Sequence, residues 1–407
     1  MVLTNRQVYI CFWIFGLINN VLYVVILSAA VDIVGPSLPK SLVLLLDILP
    51  AFVVKLVAPF FIHKLRYDHR IICLILFSCL GMLLVSYGSM SVCLAGIALA
   101  SLSSGLGEVT FLQLTHYYQE ISLNGWSSGT GGAGLFGSGI YMLFTSLLKI
   151  PVTVSLLSFS FLPLGFLLYY RLDGVQEQVS DSAVPFLDND PEEIDALTLA
   201  PPTSVSAVVK QDLLVDLRAN MSDTCQKLKE LIEPFMLPLT TVYLCEYMIN
   251  QAVAPTLLFP LDQKHIPFFF RKYRDIYVTY GTLYQLGVFI SRSTAHLVRL
   301  KRLYWLSSLQ FLNFLLVTLQ SWFYIVPSPW PIMFLVFYEG FLGGAAYVNT
   351  FLNILEQVED KNREFALGSV SIADSFGVLI AALIGLRLEP FLCDHQIADG
   401  RPWCTME

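Results

Sequence analysis

Blocks of roughly twenty apolar residues recur from one end of this chain to the other, each matching the thickness of a bilayer's hydrocarbon core. In lipid every backbone N–H and C=O must be paired internally, so a block of this length is read as a spanning helix. Candidate spans cover 9–30, 41–62, 71–90, 92–115, 131–149, 152–170, 235–259, 276–298, 303–325, 331–354 and 366–388. They predict an all-α, polytopic membrane protein of about eleven transmembrane helices. Composition agrees: 56% of residues are hydrophobic and 14% charged, whereas soluble domains carry about 25% charged residues. The first block ends on Ser28-Ala29-Ala30, which resembles a cleavage site. It is longer than the roughly 7–15 residues of a signal-peptide core and holds Asn19 and Asn20 at its centre, so it is read as a retained helix.

Between spans six and seven the composition changes. Asp173, Glu177, Asp181, Asp188, Asp190, Glu192, Glu193 and Asp195 crowd together with several prolines, and no Lys or Arg occurs from 172 to 209. Such a stretch buries too little apolar surface to order itself. The expected organisation is a six-helix bundle over 1–170, a flexible acidic linker over 171–233, a five-helix bundle over 234–388 and a short tail over 389–407. With a cytosolic N-terminus, fourteen Lys and Arg fall in cytosolic segments and eight outside, which favours that orientation. The linker is then cytosolic, and the glycosylation sequon Asn220-Met221-Ser222 within it is expected to be silent. Aromatic and basic residues mixed over 265–275 read as an interfacial anchor.

Weak internal similarity joins the halves. Thr110-Phe111-Leu112 recurs as Thr350-Phe351-Leu352 and Phe136-Gly137 as Phe376-Gly377, both 240 residues on; Ile18-Asn19-Asn20 resembles Ile249-Asn250-Gln251. The common order maps spans one to five onto seven to eleven, a parallel 6+5 pseudo-repeat of the major-facilitator type.

Ionisable groups inside spans are costly and usually face a bundle interior. Asp47, Lys55, Glu108, Glu246, Arg292, Glu339 and Asp374 are the ones present. Five acids against two bases suit proton coupling or a cationic solute. Glu246, near the middle of its span with Asn250 and Tyr243 on the same face, is the leading candidate. Asn20 and Tyr23 share a face in span one. The candidate solute or proton path is therefore Glu246, Asn250, Asp47, Glu108, Glu339, Asp374, Arg292, Asn20 and Tyr23. Each acid is weighed against a purely structural pairing, and each amide against simple helix-to-helix glue.

Other chemistry is poorly supported. Residues 127–134 contain a G-x-G-x-x-G match, but no strand precedes it, and glycines at helical spacing let membrane helices pack closely. The six histidines are scattered, with no metal-ligand or catalytic motif, so neither an enzyme nor a cofactor is expected. A net charge of −7 gives no basic face for nucleic acid. Most of the eight cysteines lie in apolar blocks. Cys393 and Cys404 could pair in an oxidising lumen, and Cys404 stands at a prenylation position with unsuitable neighbours.

Several stretches resemble the battenin family of lysosomal and vacuolar membrane proteins. They include 16–25 (Gly-Leu-Ile-Asn-Asn-Val-Leu-Tyr-Val-Val), Asp47-Ile48-Leu49-Pro50, Gly107-Glu108-Val109-Thr110-Phe111, 126–131, 246–251 and Ser371-Ile372-Ala373-Asp374. The most specific is 338–350, Tyr-Glu-Gly-Phe-Leu-Gly-Gly-Ala-Ala-Tyr-Val-Asn-Thr. The linker-poor form is similar to fungal members. This resemblance implies a vacuolar or lysosome-like membrane, a role in luminal pH homeostasis and a link to basic amino-acid transport, arginine especially. It also implies a tie, in animal members, to glycerophosphodiester clearance. Two expectations follow: a transporter of a small polar solute with proton coupling, or a non-transporting adaptor that acts on a membrane-protein partner such as a proton pump.

Overall fold

A computed structural model describes residues 4–29, 40–87, 89–172, 221–261, 266–295, 297 and 299–405. Most of the expected linker, with Asn220, lies outside the described residues; its last residues, 221–231, are helical and lead into the second half.

The first half comprises α1 (Asn5–Ser28), α2 (Lys40–Phe61), α3 (Tyr67–Tyr87), α4 (Met90–Met142) and α5 (Val152–Phe159), the last continued by tighter 3₁₀ turns over Leu162–Arg171. α4 is helical in almost every residue, yet it holds two passes. Phe111 and Trp126 would lie about 22 Å apart along a straight helix, but their rings are 5.5 Å apart. The chain reverses at Gln119, whose φ is 56°. The fifth pass accordingly takes in residues N-terminal to 131, where the expected span began.

The second half comprises α6 (Leu237–Met248), α7 (Tyr273–Ser293), α8 (Leu303–Phe323), α9 (Pro329–Gln357), the short α10 (Asp360–Val370) and α11 (Ile372–Ala398). Seven stretches among the described residues are long and apolar enough to cross a membrane by themselves, one of them the double pass of α4. The α6 region, α7 and α8 complete the eleven. They are less apolar because they bury polar side chains: Glu246 is 2% exposed and Gln310 0%. Leu76, Leu147, Phe161 and Phe334 lie on the outer surface, as a lipid-facing belt requires. α11 runs ten residues beyond its expected end at 388, so much of the expected tail is helical.

Glycine sets the close approaches. A Cβ on Gly129 would collide with the backbone of Trp13, and one on Gly16 with the backbone of Trp126 and Thr130. The glycine-rich segment 127–134 is thus a packing face between α1, α4 and α7, in keeping with the small-residue reading. In the anchor segment, Phe268 stands almost fully exposed while Phe270 is buried, and Asp275 accepts the backbone N–H groups of Arg271 and Lys272.

The C-terminal segment folds back on the bundle. Cys393 and Cys404 form a disulfide, and the Arg401 guanidinium donates to the carbonyls of Ser321 and Trp322. A thiol in this bond is closed to prenylation. Maleimide-polyethylene glycol applied to denatured, unreduced membranes is expected to leave Cys393 and Cys404 unlabelled and to add two adducts after reduction. Labelling of Cys404 before reduction would place the tail in a reducing compartment.

Candidate functional site

Side chains from both halves converge on a cavity of about 140 Å³ between them. Asn20 and Tyr23 reach it from α1, Asp47 and Lys55 from α2, and Glu108 from α4; Tyr243 and Tyr247 of α6, Arg292 of α7, Tyr347 of α9 and Asp374 of α11 close the other side.

The α2 backbone beside Asp47 is engaged by a neighbouring side chain. Pro50 has no N–H to give the helix ladder. The Ser101 hydroxyl accepts from the Ala51 N–H at 3.0 Å and donates to the Asp47 carbonyl at 2.6 Å, the two groups that pair in an uninterrupted helix. Asp47 itself is 4% exposed, and its Oδ2 has no hydrogen-bond donor among the described residues.

Lys55 sits at the centre of an ion-pair triad. Its Nζ lies 2.6 Å from Glu108 Oε2 and 3.1 Å from Asp374 Oδ1, and it donates to Ser375 Oγ at 2.7 Å. All three ammonium donors are used, and the triad ties the first half to the second. Tyr347 donates to Glu108 Oε1 at 3.1 Å and itself accepts from Trp126 Nε1 at 3.0 Å.

Arg292 is arranged in parallel. Its guanidinium donates to Thr130 Oγ1 at 2.7 Å and to Tyr243 Oη at 2.9 Å, and lies 4.1 Å over the Tyr347 ring. The equivalence of spans one to five with seven to eleven pairs α2 with α7. Each of these helices sends one cation to the fourth helix of its own half, through Glu108 or Tyr347. Each cation also crosses to the fifth pass of the other half, Arg292 to Thr130 on the second pass of α4 and Lys55 to Asp374 on α11. The pseudo-repeat is therefore written in side-chain bonds as well as in sequence.

The halves also meet on one side of the cavity. Tyr67 and Tyr117 donate to the two oxygens of Glu364 at 2.7 and 3.1 Å. Arg70 donates to Gln113 at 2.8 Å, and the Gln113 side chain packs against Gly368. These ties lie at the end formed by the α2–α3 and α9–α10 connections.

Six of the nine expected path residues line the cavity: Asp47, Glu108, Asp374, Arg292, Asn20 and Tyr23. Glu246, the leading candidate, does not, and neither do Asn250 and Glu339; they form a separate buried cluster behind Arg292. Helix periodicity gave Glu246 the right face in part: its neighbours Tyr243 and Tyr247 take the cavity side. Lys55, which is not among the expected path residues, is the hub of the triad. Tyr347 and Tyr247 were unmarked in the sequence, although each is a hydroxyl-bearing residue within a stretch that also carries a spanning acid.

The CLN3 protein family matches residues 10–395. The chain is 60% identical to protein BTN1 of Saccharomyces cerevisiae over 407 residues, covering 99% of both. It is 58% identical to protein BTN1 of Candida glabrata over 409 residues, covering 99% of this chain and all of that one. Among solved structures, a bacterial homologue of the iron transporter ferroportin, crystallised in an outward-facing state, superposes with a TM-score of 0.59. That likeness covers 98% of this chain and 96% of the other, at 13% identity, and concerns the fold alone.

Proposed function

This chain belongs to the CLN3 protein family, and we propose that it is a secondary transporter of a vacuolar or lysosome-like membrane whose solute is a small cation, in particular a basic amino acid such as arginine. Its N-terminus is cytosolic in this reading, and its transport contributes to luminal pH homeostasis. The observation that carries the proposal is the unbalanced charge of the cavity. Asp47, Glu108 and Asp374 face it with Lys55 and Arg292. Lys55 is bonded to Glu108 and Asp374, so Asp47 is left without a counter-ion among the described residues, in a buried space. A cationic solute supplies one. The ends joined by Glu364 would be the cytosolic gate, shut in this conformation, so the cavity awaits solute from the lumen.

Uptake into proteoliposomes that contain only the purified protein tests this. Saturable uptake of labelled arginine is expected, with a glycerophosphodiester taken up poorly. Uptake of the phosphodiester alone would reassign recognition to Arg292. Uptake of neither by folded protein would favour the adaptor.

A further inference from the structure

The second half holds a polar cluster that the solute cavity does not use. Glu246 of α6 is 2% exposed and Glu339 of α9 is 0% exposed. The wide helical turn over Ile249–Val253 follows α6 directly, and it carries Asn250. Asn250 Nδ2 donates to Glu339 Oε1 at 2.8 Å and to the Glu246 backbone carbonyl at 3.2 Å. Tyr284 of α7 donates to Glu246 Oε1. The other oxygen of each carboxyl, Oε2, is buried and has no partner among the described residues. Bare backbone at Gly343 of α9 makes room for Glu246, since any Cβ there would collide with its carboxyl. Two carboxyls are therefore enclosed together, each with one oxygen satisfied and one free.

The surroundings decide what occupies the free oxygens. The titratable groups facing the pair are Tyr243, Cys245 and Tyr247 on α6, Tyr284 and Arg292 on α7, and Asp374 on α11. Arg292 is the cation among them, and its hydrogen bonds go to Thr130 and Tyr243, with Nε unpaired. Two ionised carboxylates so enclosed, with no cation bonded to either, would repel each other at low dielectric. A metal ion is a poor occupant. Hard cations take about six oxygen ligands, whereas Tyr284 and Asn250 act here as donors and two carboxyl oxygens remain. A proton needs one of them.

We infer that Glu246 and Glu339 form a proton-binding site of the second half, separate from the solute cavity and connected to it through Arg292. A proton on the pair leaves Arg292 free to grip Thr130 of the first half. Its loss puts a full negative charge on Glu246, whose field reaches Arg292, draws the guanidinium toward its own half and releases the tie. The proton site stands on this geometry alone; its coupling to movement rests on the transporter reading.

Infrared difference spectra of the purified full chain, taken between acidic and alkaline buffer, separate the two. The wild type is expected to show a protonated-carboxyl stretch that disappears on alkalisation. Glu246→Gln combined with Glu339→Gln should lose that band, Tyr284→Phe should shift it, and Asp47→Asn should keep it. Tyr284→Phe serves where the double variant fails to fold. A band unchanged in both the double variant and Tyr284→Phe, or no such band in the wild type, overturns the proton site even when solute uptake is intact. A band that behaves as expected, in a protein that transports no solute, keeps the proton site and sinks the transporter reading instead.

Discussion

Lys55→Met is expected to be the most damaging single substitution in the cavity. Lys55 is 3% exposed, and its ammonium is the bonded cation for both Glu108 and Asp374. Removing one partner of a buried ion pair strands the other, at a cost of about 3–5 kcal/mol. Two carboxylates would be stranded here, in different halves, and the like charges would then push the halves apart. Thermal melting in detergent should register the loss. The triple variant Lys55→Met, Glu108→Gln, Asp374→Asn should melt close to wild type, because replacing a whole buried ion-pair group is often neutral. The triple variant should still fail to transport, since the charges that shape the cavity are gone. A Lys55→Met protein that melts like wild type would mean that the triad does not hold the halves together.

Asp47→Asn is expected to behave in the opposite way, stable but weakened in solute binding. No donor among the described residues satisfies Asp47 Oδ2, so neutralising the group removes an uncompensated buried charge. Melting should be unchanged or slightly improved. Binding of a cationic solute should weaken about ten- to hundredfold, the equivalent of a charge-assisted hydrogen bond of about 1.5–3 kcal/mol. Uptake measured over a range of arginine concentrations would show this as a raised half-saturation concentration. Unaltered arginine uptake by Asp47→Asn would remove Asp47 from solute contact, and with it the argument for a cationic solute. Because Lys55 and Asp47 lie two turns apart on α2, the contrast between them also controls for general damage to that helix.

Which residues enter the membrane was legible from the chain alone. The apolar blocks set the spans, and the cost of burying charge marked Asp47, Glu108, Glu246, Glu339 and Asp374 as special. The chain also showed that Asn20 shares a face with Tyr23, and Glu246 with Asn250, because 3.6 residues per turn dictates it. It placed the reversal between spans four and five, in the polar gap that holds Gln119, but could not show that helix continues through that gap and that the fifth pass begins before 131. Nor could it show that Glu246 turns away from the cavity. The face of a helix is a property of its own residues, but what that face meets depends on how neighbouring helices are rotated and packed.

The membrane location, the helical class and the set of buried charges follow from the sequence by itself, because each depends on local energetics: backbone pairing in lipid and the desolvation of a charge. Tertiary structure alone decided who partners whom. Lys55 and Asp374 are 319 residues apart in the chain and 3.1 Å apart in space. Thr130 and Arg292 are likewise joined across 162 residues. Such pairs are chosen by the docking of one half against the other, which rests on close glycine-mediated packing and on the pseudo-symmetry of the bundle. That docking brought six of the expected path residues to one cavity and set Glu246 and Glu339 behind it.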